Sequence, residues 1–364
     1  MNLKIYNPIM RPFILFGLLI AHFIPVAGGS IFDLISSGAD VRELTISLPL
    51  DSIYAKTNNK QDAWLTFTDE TGLDQRWPLH VGVRGKFRRR TCTLPPLKLD
   101  FNKGDLEAYG LSRHDKLKLV VPCQEGEAYE NLVIREYLAY QIYADLTPYH
   151  FRTQLLALTL VDVHGNWPDQ TLMAFVIEDT DEMAERLGGE EVDNLLGLTA
   201  NQWNREAEMA HSLAQFLLGN HDYSLTMVRN IKQVRLIETG LLVPVAYDFD
   251  FSQLVYAPYA TINTAAGQES FTDRIYLGYP VTNEEVASML ERMEYQRRDV
   301  MKMVRQSKLL NYDDRHQMAD RLQNGFNALR RVLRSNAKES IYTSLSGREN
   351  TALDSESDDL LGRD

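Results

Sequence analysis

Two short acidic tetrads carry the densest chemistry in this sequence, Gly219-Asn220-His221-Asp222 and Tyr247-Asp248-Phe249-Asp250. Phosphoryl transfer needs a lysine on the phosphates, acids and an amide to hold a divalent metal, and a carboxylate to orient the acceptor hydroxyl. The chain offers those groups in order. Lys98 lies on an expected strand, and Glu136 lies on the expected helix after it, able to pair with that lysine. Asp222 follows an apolar helix and falls in a loop. Asn230 opens the next strand, and Asp248 ends a strand that a hairpin can return to Asn230, with Asp250 assisting. Lys118 is a rival for the phosphate-binding lysine. Lys98 is preferred because it follows Arg84-Gly85 and precedes the helix that bears Glu136. The basic run Arg84, Lys86, Arg88, Arg89 and Arg90 reads either as a solvated hairpin or as a holder of nucleotide phosphates or an acidic acceptor.

The elements that must position these groups follow from hydrophobic spacing. Alternation predicts strands over 43–54, 63–69, 78–84 and 116–121, and Leu97, Leu99 and Phe101 share one strand face. Ile134, Leu138 and Ile142 recur every fourth residue and predict a helix that Pro148 ends. Strands are expected over Gln154–Val163 and Thr171–Glu178, and mixed helix and loop over 179–202. A helix over Glu206–Leu218 should stop at Gly219, followed by strands Met227–Ile237 and Leu241–Phe251. Met289, Met293, Val300 and Met303 line one late helix; Met318, Leu322, Phe326, Leu329 and Leu333 line another. Sheet first and helix last points to an α+β fold, with a sheet-rich N-terminal lobe and a mostly helical C-terminal lobe.

The chain has 364 residues, 44% of them hydrophobic, and a net charge of −12. That composition excludes a disordered chain, and the acidic balance removes any general reason for nucleic-acid binding. Lys4 and Arg11, the apolar run from Phe13, and Ala27-Gly28-Gly29 have the layout of a secretory signal peptide, with cleavage expected before Ser30. The run falls short of the ~20 residues of a membrane span. Losing Lys4 and Arg11 would take the charge from −12 to −14, with no stable transmembrane span left after signal removal. A periplasmic or extracellular location permits a Cys92–Cys123 disulfide. The expected segments are a signal peptide over 1–29, a linker over 30–42, an N-lobe over 43–148, a C-lobe over 149–345 and a disordered acidic tail over 346–364.

Gly219-Asn220-His221-Asp222 also invites a metallophosphoesterase reading, and Asp162-Val163-His164-Gly165 resembles the first metal motif of such enzymes. The remaining ligands are missing. No Gly-Asp pair lies between 165 and 219, and His316 is the only histidine after His221, so a two-metal site cannot form. The better resemblance is to the CotH spore-coat kinases and the HipA-type kinases, an atypical protein-kinase-like group. It rests on Arg84-Gly85, the strand Pro95-Pro-Leu-Lys-Leu-Asp-Phe101, Arg135-Glu136-Tyr137-Leu138, Asp222 with a later Asn230, and Asp248-Phe249-Asp250. It covers roughly residues 45–335 in layout. The chain departs in the loop, where the group's Asp-Arg-His-x-x-Asn is replaced by Asp222-Tyr-Ser-Leu-Thr-Met-Val-Arg-Asn230.

The resemblance implies a two-lobed protein-kinase-like fold that binds ATP with Mg²⁺ or Mn²⁺ and phosphorylates a hydroxyl of a protein or glycan acceptor. Asp222 would be catalytic, Arg84, Lys98 and Glu136 would bind the nucleotide, and Asn230, Asp248 and Asp250 would hold the metal. Taken singly, Asp222 also reads as a turn residue, and Asp248 and Asp250 as a solvated strand end. The altered loop keeps a second class open: a non-catalytic kinase-like binding or scaffold protein of the cell envelope.

Overall fold

The computed structural model describes residues 29–36 and 40–334. Residues 1–28 of the expected signal peptide and the expected acidic tail over 346–364 lie outside the described residues. The elements in order are α1 (Ile31–Ser36), β1 (Val41–Leu48), α2 (Leu50–Tyr54), β2 (Gln61–Thr68), β3 (Asp74–Val83), α3 (Arg88–Thr91), β4 (Leu97–Phe101), α4 (Lys103–Ala108) and β5 (Lys116–Val120). The long helix α5 (Glu127–Leu146) leads to β6 (Thr153–Asp162), β7 (Gln170–Ile177), α6 (Thr180–Arg186) and β8 (Gly189–Glu191). Then come α7 (Arg205–Leu218), β9 (Ile231–Leu236), β10 (Leu242–Ala246), α8 (Asn283–Arg305) and α9 (Tyr312–Arg334). The fold is mixed α+β, with a sheet-rich first half and a mainly helical second half.

The sheet of the first half closes into a barrel in the order β1-β2-β3-β4-β5-β7-β6. Successive strand side chains point to opposite faces, so each strand sends every second residue inward. Leu44 and Ile46, Leu65 and Phe67, Leu79 and Val81, Leu97 and Leu99, Leu117 and Leu119, and Leu158 and Leu160 fill the interior. The seam is β1 against β6, running parallel from Val41↔Leu155 to Leu48↔Asp162. β6 and β7 therefore belong to the barrel, and the boundary expected at residue 148 falls inside it. The expected linker over 30–42 is also different. Its first part is helix α1, whose Ile31, Phe32 and Ile35 are buried in the barrel core. The strand expected over 43–54 ends at Leu48, because Pro49 turns the chain into α2, which adds Leu50 and Ile53 to the same core.

β5, β7 and β6 are apolar on both faces where the two halves meet. Val120, Leu155, Phe175 and Ile177 point out of the barrel into a second core built on α5, α7, α8 and α9. α5 is the shared element. Ile134, Leu138, Ile142 and Tyr143 face that core, and Arg135 is buried with a bond to Val255 O (3.1 Å) and an ion pair to Asp314 of α9. Strands β10, β9 and β8 form a small separate sheet. It is shorter than the spacing predicts: 225–228 form a turn closed by an isolated bridge between Ser224 and Arg229, and 247–251 leave the sheet, which puts Asn230 and Asp248 just outside the β9–β10 ladder.

Cys92 and Cys123 are joined in a disulfide with Cα atoms 4.4 Å apart. It fastens the end of α3 to the segment entering α5. Replacing both cysteines by alanine should lower the unfolding free energy by roughly 3–4 kcal/mol, the chain-entropy value for a loop of this length, with a sequence separation of 31. Urea unfolding of the double variant against the oxidised protein measures it; equal midpoints would show that the bond contributes nothing.

Candidate functional site

Asp222 is set by the end of α7. Gly219 takes the left-handed conformation (φ 64°) that stops the helix, and a Cβ there would lie 2.6 Å from Gln253. Asn220, fully buried, donates to Gln215 Oε1 and accepts from the Asp222 amide (3.1 Å). The chain then runs through a tight hairpin in which Ser224 and Arg229 exchange backbone hydrogen bonds at 3.1 Å. This hairpin absorbs the added length of the loop and brings Asn230 back. The Asn230 amide group donates to Asp222 O at 2.7 Å and to Asp222 Oδ2 at 2.9 Å. Its Oδ1 is thereby fixed as the acceptor end. Arg229 pairs with Asp222 Oδ1 at 3.4 Å. Burial pushes the Asp222 carboxyl above its ordinary range; Arg229 opposes this and Asp248 adds to it.

Asp248 follows β10, where Tyr247 N donates to Asn230 O (3.1 Å) and Asp248 N donates to the Tyr140 hydroxyl of α5 (2.8 Å). Asn230 (φ 50°) and Asp248 (φ 65°) both hold left-handed backbones. Asn and Asp tolerate that conformation better than other side chains. One stands just before β9 and the other just after β10, at the same end of the small sheet.

The centre of the site is Arg88, the first residue of α3. Its Nη2 lies 2.8 Å from Glu136 Oε2, 2.7 Å from Asp250 Oδ2 and 3.4 Å from Asp248 Oδ1, and its Nε donates to Asp250 Oδ2 at 2.9 Å. Arg88, Glu136 and Asp250 are all buried. Burial pushes Glu136 up and Asp250 well up; Arg88 pulls both down, and the Asp248 charge pushes both up again. The same carboxylates hold the Arg88 proton more firmly than usual against the cost of burial. Three carboxylates around one guanidinium leave the cluster with excess negative charge on the side where Asp248 meets solvent.

Arg84, Lys86, Arg88, Glu136, Asp222, Asn230, Asp248 and Asp250 line one cleft of about 400 Å³. Every expected site residue is there except Lys98. Lys98 sits on the outer barrel face, opposite Gly82 and Lys118 in register, and the partner of Glu136 is Arg88. The expected Lys98–Glu136 pair is thus corrected. The rival Lys118 lies nearer the cleft. Its ammonium donates to Thr180 Oγ1 (2.9 Å) and lies over the rings of Phe151 (4.5 Å) and Tyr247 (5.7 Å). Burial, with Arg84 and Lys232 close by, lowers it to about 7.

The expected ligand set Asn230, Asp248 and Asp250 is not assembled as such, because Asp250 is engaged by Arg88. Among the described residues no group of three or more His, Cys, Asp or Glu is placed to hold a metal ion. The open side of the cleft keeps two carboxylates, Asp222 and Asp248, and the Asn230 amide oxygen. Of these, Asp248 and the Asn230 amide oxygen fit Mg²⁺, which is bound by one or two carboxylates together with substrate phosphates rather than by an all-protein cage.

Two groups that sequence reasoning missed support the site. Arg88 stood in a basic run with no local signal to single it out. His211 is fully buried in α7, its Nδ1 2.8 Å from the Tyr143 hydroxyl and its ring 5.0 Å from Tyr223, the residue after Asp222.

No protein-family profile matches the chain, and no curated protein does. Among solved structures, the crystal structure of the Helicobacter pylori proinflammatory kinase CtkA matches at 12% identity with a TM-score of 0.36. It covers 64% of this chain and 90% of that one. A likeness of that degree assigns neither fold nor activity here.

Two measurements probe this geometry. Arg88→Met leaves buried carboxylates unpaired and should cost about 3–5 kcal/mol of stability; adding Glu136→Gln should recover part of that loss. A full-cost double variant would show that the two groups are not coupled. Burial lowers His211 to about 3, so the unfolded chain takes the proton first as pH falls. Its stabilising contribution is complete above the unfolded value of ~6.5 and is lost below it. Between pH 7 and pH 5, wild type should lose about 2 kcal/mol more than His211→Gln in urea unfolding.

Proposed function

We propose that this chain is an exported, protein-kinase-like phosphotransferase that moves a phosphoryl group from ATP to a hydroxyl of a protein or glycan. The observation that carries the reading is the convergence of Asp222, Asn230 and Asp248 in one cleft, with Arg84 and Lys86 on its rim. These groups come from three separate segments. Asp222 accepts the proton of the acceptor hydroxyl, and its raised carboxyl suits a general base better than an ordinary aspartate. Arg84 and Lys86 bind phosphate oxygens. Asp248 and the Asn230 amide oxygen hold the divalent cation, which supplies charge neutralisation on the phosphates when bound. Arg88 fixes Glu136, Asp250 and Asp248 relative to one another and so keeps the barrel and helical halves in register across the cleft. The disulfide supports export, since such bonds persist in oxidising compartments.

A second reading draws on Arg88 itself. It occupies Glu136 and Asp250, the groups that a nucleotide-binding lysine and a second metal ligand would need. On that reading the chain is a kinase-like binding or scaffold protein of the cell envelope.

Titration with ATP and Mg²⁺ or Mn²⁺ separates the two. The phosphotransferase should bind ATP only with the cation and should turn it over. Asp248→Asn should abolish cation-dependent binding while leaving thermal unfolding intact. Asp222→Asn should lower turnover at least ~10²-fold and leave binding within about twofold. Binding without turnover in wild type selects the scaffold reading. Absence of binding with either cation would remove the nucleotide from both.

A further inference from the structure

The start of the described chain forms a charge cluster that the cleft does not use. Ser30 is 2% exposed and precedes α1. Its backbone N donates to Asp33 Oδ2 at 2.9 Å, and its hydroxyl donates to Glu182 Oε1 at 2.7 Å. Arg152, just before β6, spans the cluster. Its Nη1 pairs with Asp33 (2.8 Å), its Nε with Glu178 (2.7 Å) and its Nη2 with Glu182. Arg186 also pairs with Glu178. Three carboxylates, Asp33, Glu178 and Glu182, therefore meet two guanidiniums, and the cluster is one positive charge short.

The deficit is localised. Glu182 is 7% exposed, and its Oε2 is buried with no hydrogen-bond partner. Burial raises Glu182, with Glu178 and Asp33 adding to the effect. An unpaired carboxylate oxygen in that setting is costly. The atom best placed to supply the charge is the nitrogen of Ser30, whose side chain already touches Glu182. As a peptide nitrogen it has one proton and no charge. As a chain terminus it would carry three protons and a positive charge.

We propose that hydrolysis of the Gly29–Ser30 bond converts the Ser30 nitrogen into an α-ammonium ion that completes this cluster, paired with Asp33 and Glu182, and locks α1 into the barrel. Water adds across the peptide bond, Gly29 leaves as a carboxylate, and the released amine takes up a proton. An endopeptidase of the signal-processing class performs the cut. It acts before α1 seats, because Ser30 is buried in the folded chain. Among the described residues, the contact given up is the hydrogen bond from Ser112 N to Gly29 O (2.9 Å). The partial positive charge at the start of α1 disfavours an ammonium there, but this helix has only six residues, the Asp33 carboxylate already accepts from the nitrogen, and Glu182 accepts from the hydroxyl of the same residue. The inference stands apart from the phosphotransferase reading and survives its failure.

The test begins with the full chain expressed with its own leader and recovered from the cell envelope. Intact-mass measurement should give a first residue of Ser30. The processed chain is then compared with one that retains Gly29, which moves the amine by about 3.8 Å. The Ser30 form should melt roughly 2–4 °C higher, and Glu182→Gln should remove the difference. Its α-amine should also react at least ~10-fold more slowly with an acetylating reagent at pH 8 than that of the Gly29 form, and this readout decides the matter if Glu182→Gln does not fold. A native start at another residue, equal melting of the two forms, or equal labelling would each overturn the proposal.

Discussion

The site depends on one guanidinium. Arg88 is buried, and burying an ion is tolerable only where geometry and hydrogen bonds compensate. Glu136, Asp248 and Asp250 provide that compensation from α5 and from the turn after β10, while Arg88 itself belongs to the barrel half. None of the pairs that Arg88 makes is local: it is separated from Glu136 by 48 residues and from Asp250 by 162. The charge cluster therefore works as a fastener between the two halves, and it sets the floor of the cleft. Asp248 is the member left facing solvent, and its contact with Arg88 is the longest of the three at 3.4 Å. The chemistry proposed for the cleft uses that residue and leaves the buried members alone.

The fastener needs a rigid backing, and the backbone around it supplies one. The disulfide holds the end of α3 to the segment before α5, so Arg88 and Glu136 are tied covalently as well as by charge. Tyr140 of α5 holds the Asp248 amide, and Asn230 holds Asp222. Left-handed backbones at Asn230 and Asp248 turn both side chains out of the small sheet. Side chains that must face a ligand are thus fixed by partners on neighbouring elements rather than by their own loops.

The elements were largely legible in the sequence, because periodicity is a local property. Helices α5, α7, α8 and α9 lie where the apolar spacing puts them, and the alternation at Leu97, Leu99 and Phe101 marks an inward barrel face. What was not legible is closure. Nothing local in Val41–Leu48 says that it pairs with residues 155–162, so β6 and β7 read from the sequence as part of the second half, although they pair within the barrel. The short α1 was passed over as a linker because six residues are too few to show a period, although Ile31, Phe32 and Ile35 are buried. At the site, Asp222, Asn230 and Asp248 were legible from residue type and order. The partner of Glu136 was not, because a lysine on a regular strand is a clearer pattern than one arginine among five basic residues. Lys98 points off the outer barrel wall, where only the strand register could have placed it.

The parallel seam between β1 and β6 has a consequence for the order in which the molecule is made. A barrel closed by β1 against β6 keeps open strand edges until β6 and β7 have both been synthesised, so β1 waits for more than a hundred further residues to emerge. Non-local pairing of this kind is slow to form. A polypeptide that stays open through its first half remains threadable. On the proposed export route, a translocation channel that passes only extended chains would meet it in that condition, and the topology would then time collapse to the far side of the membrane.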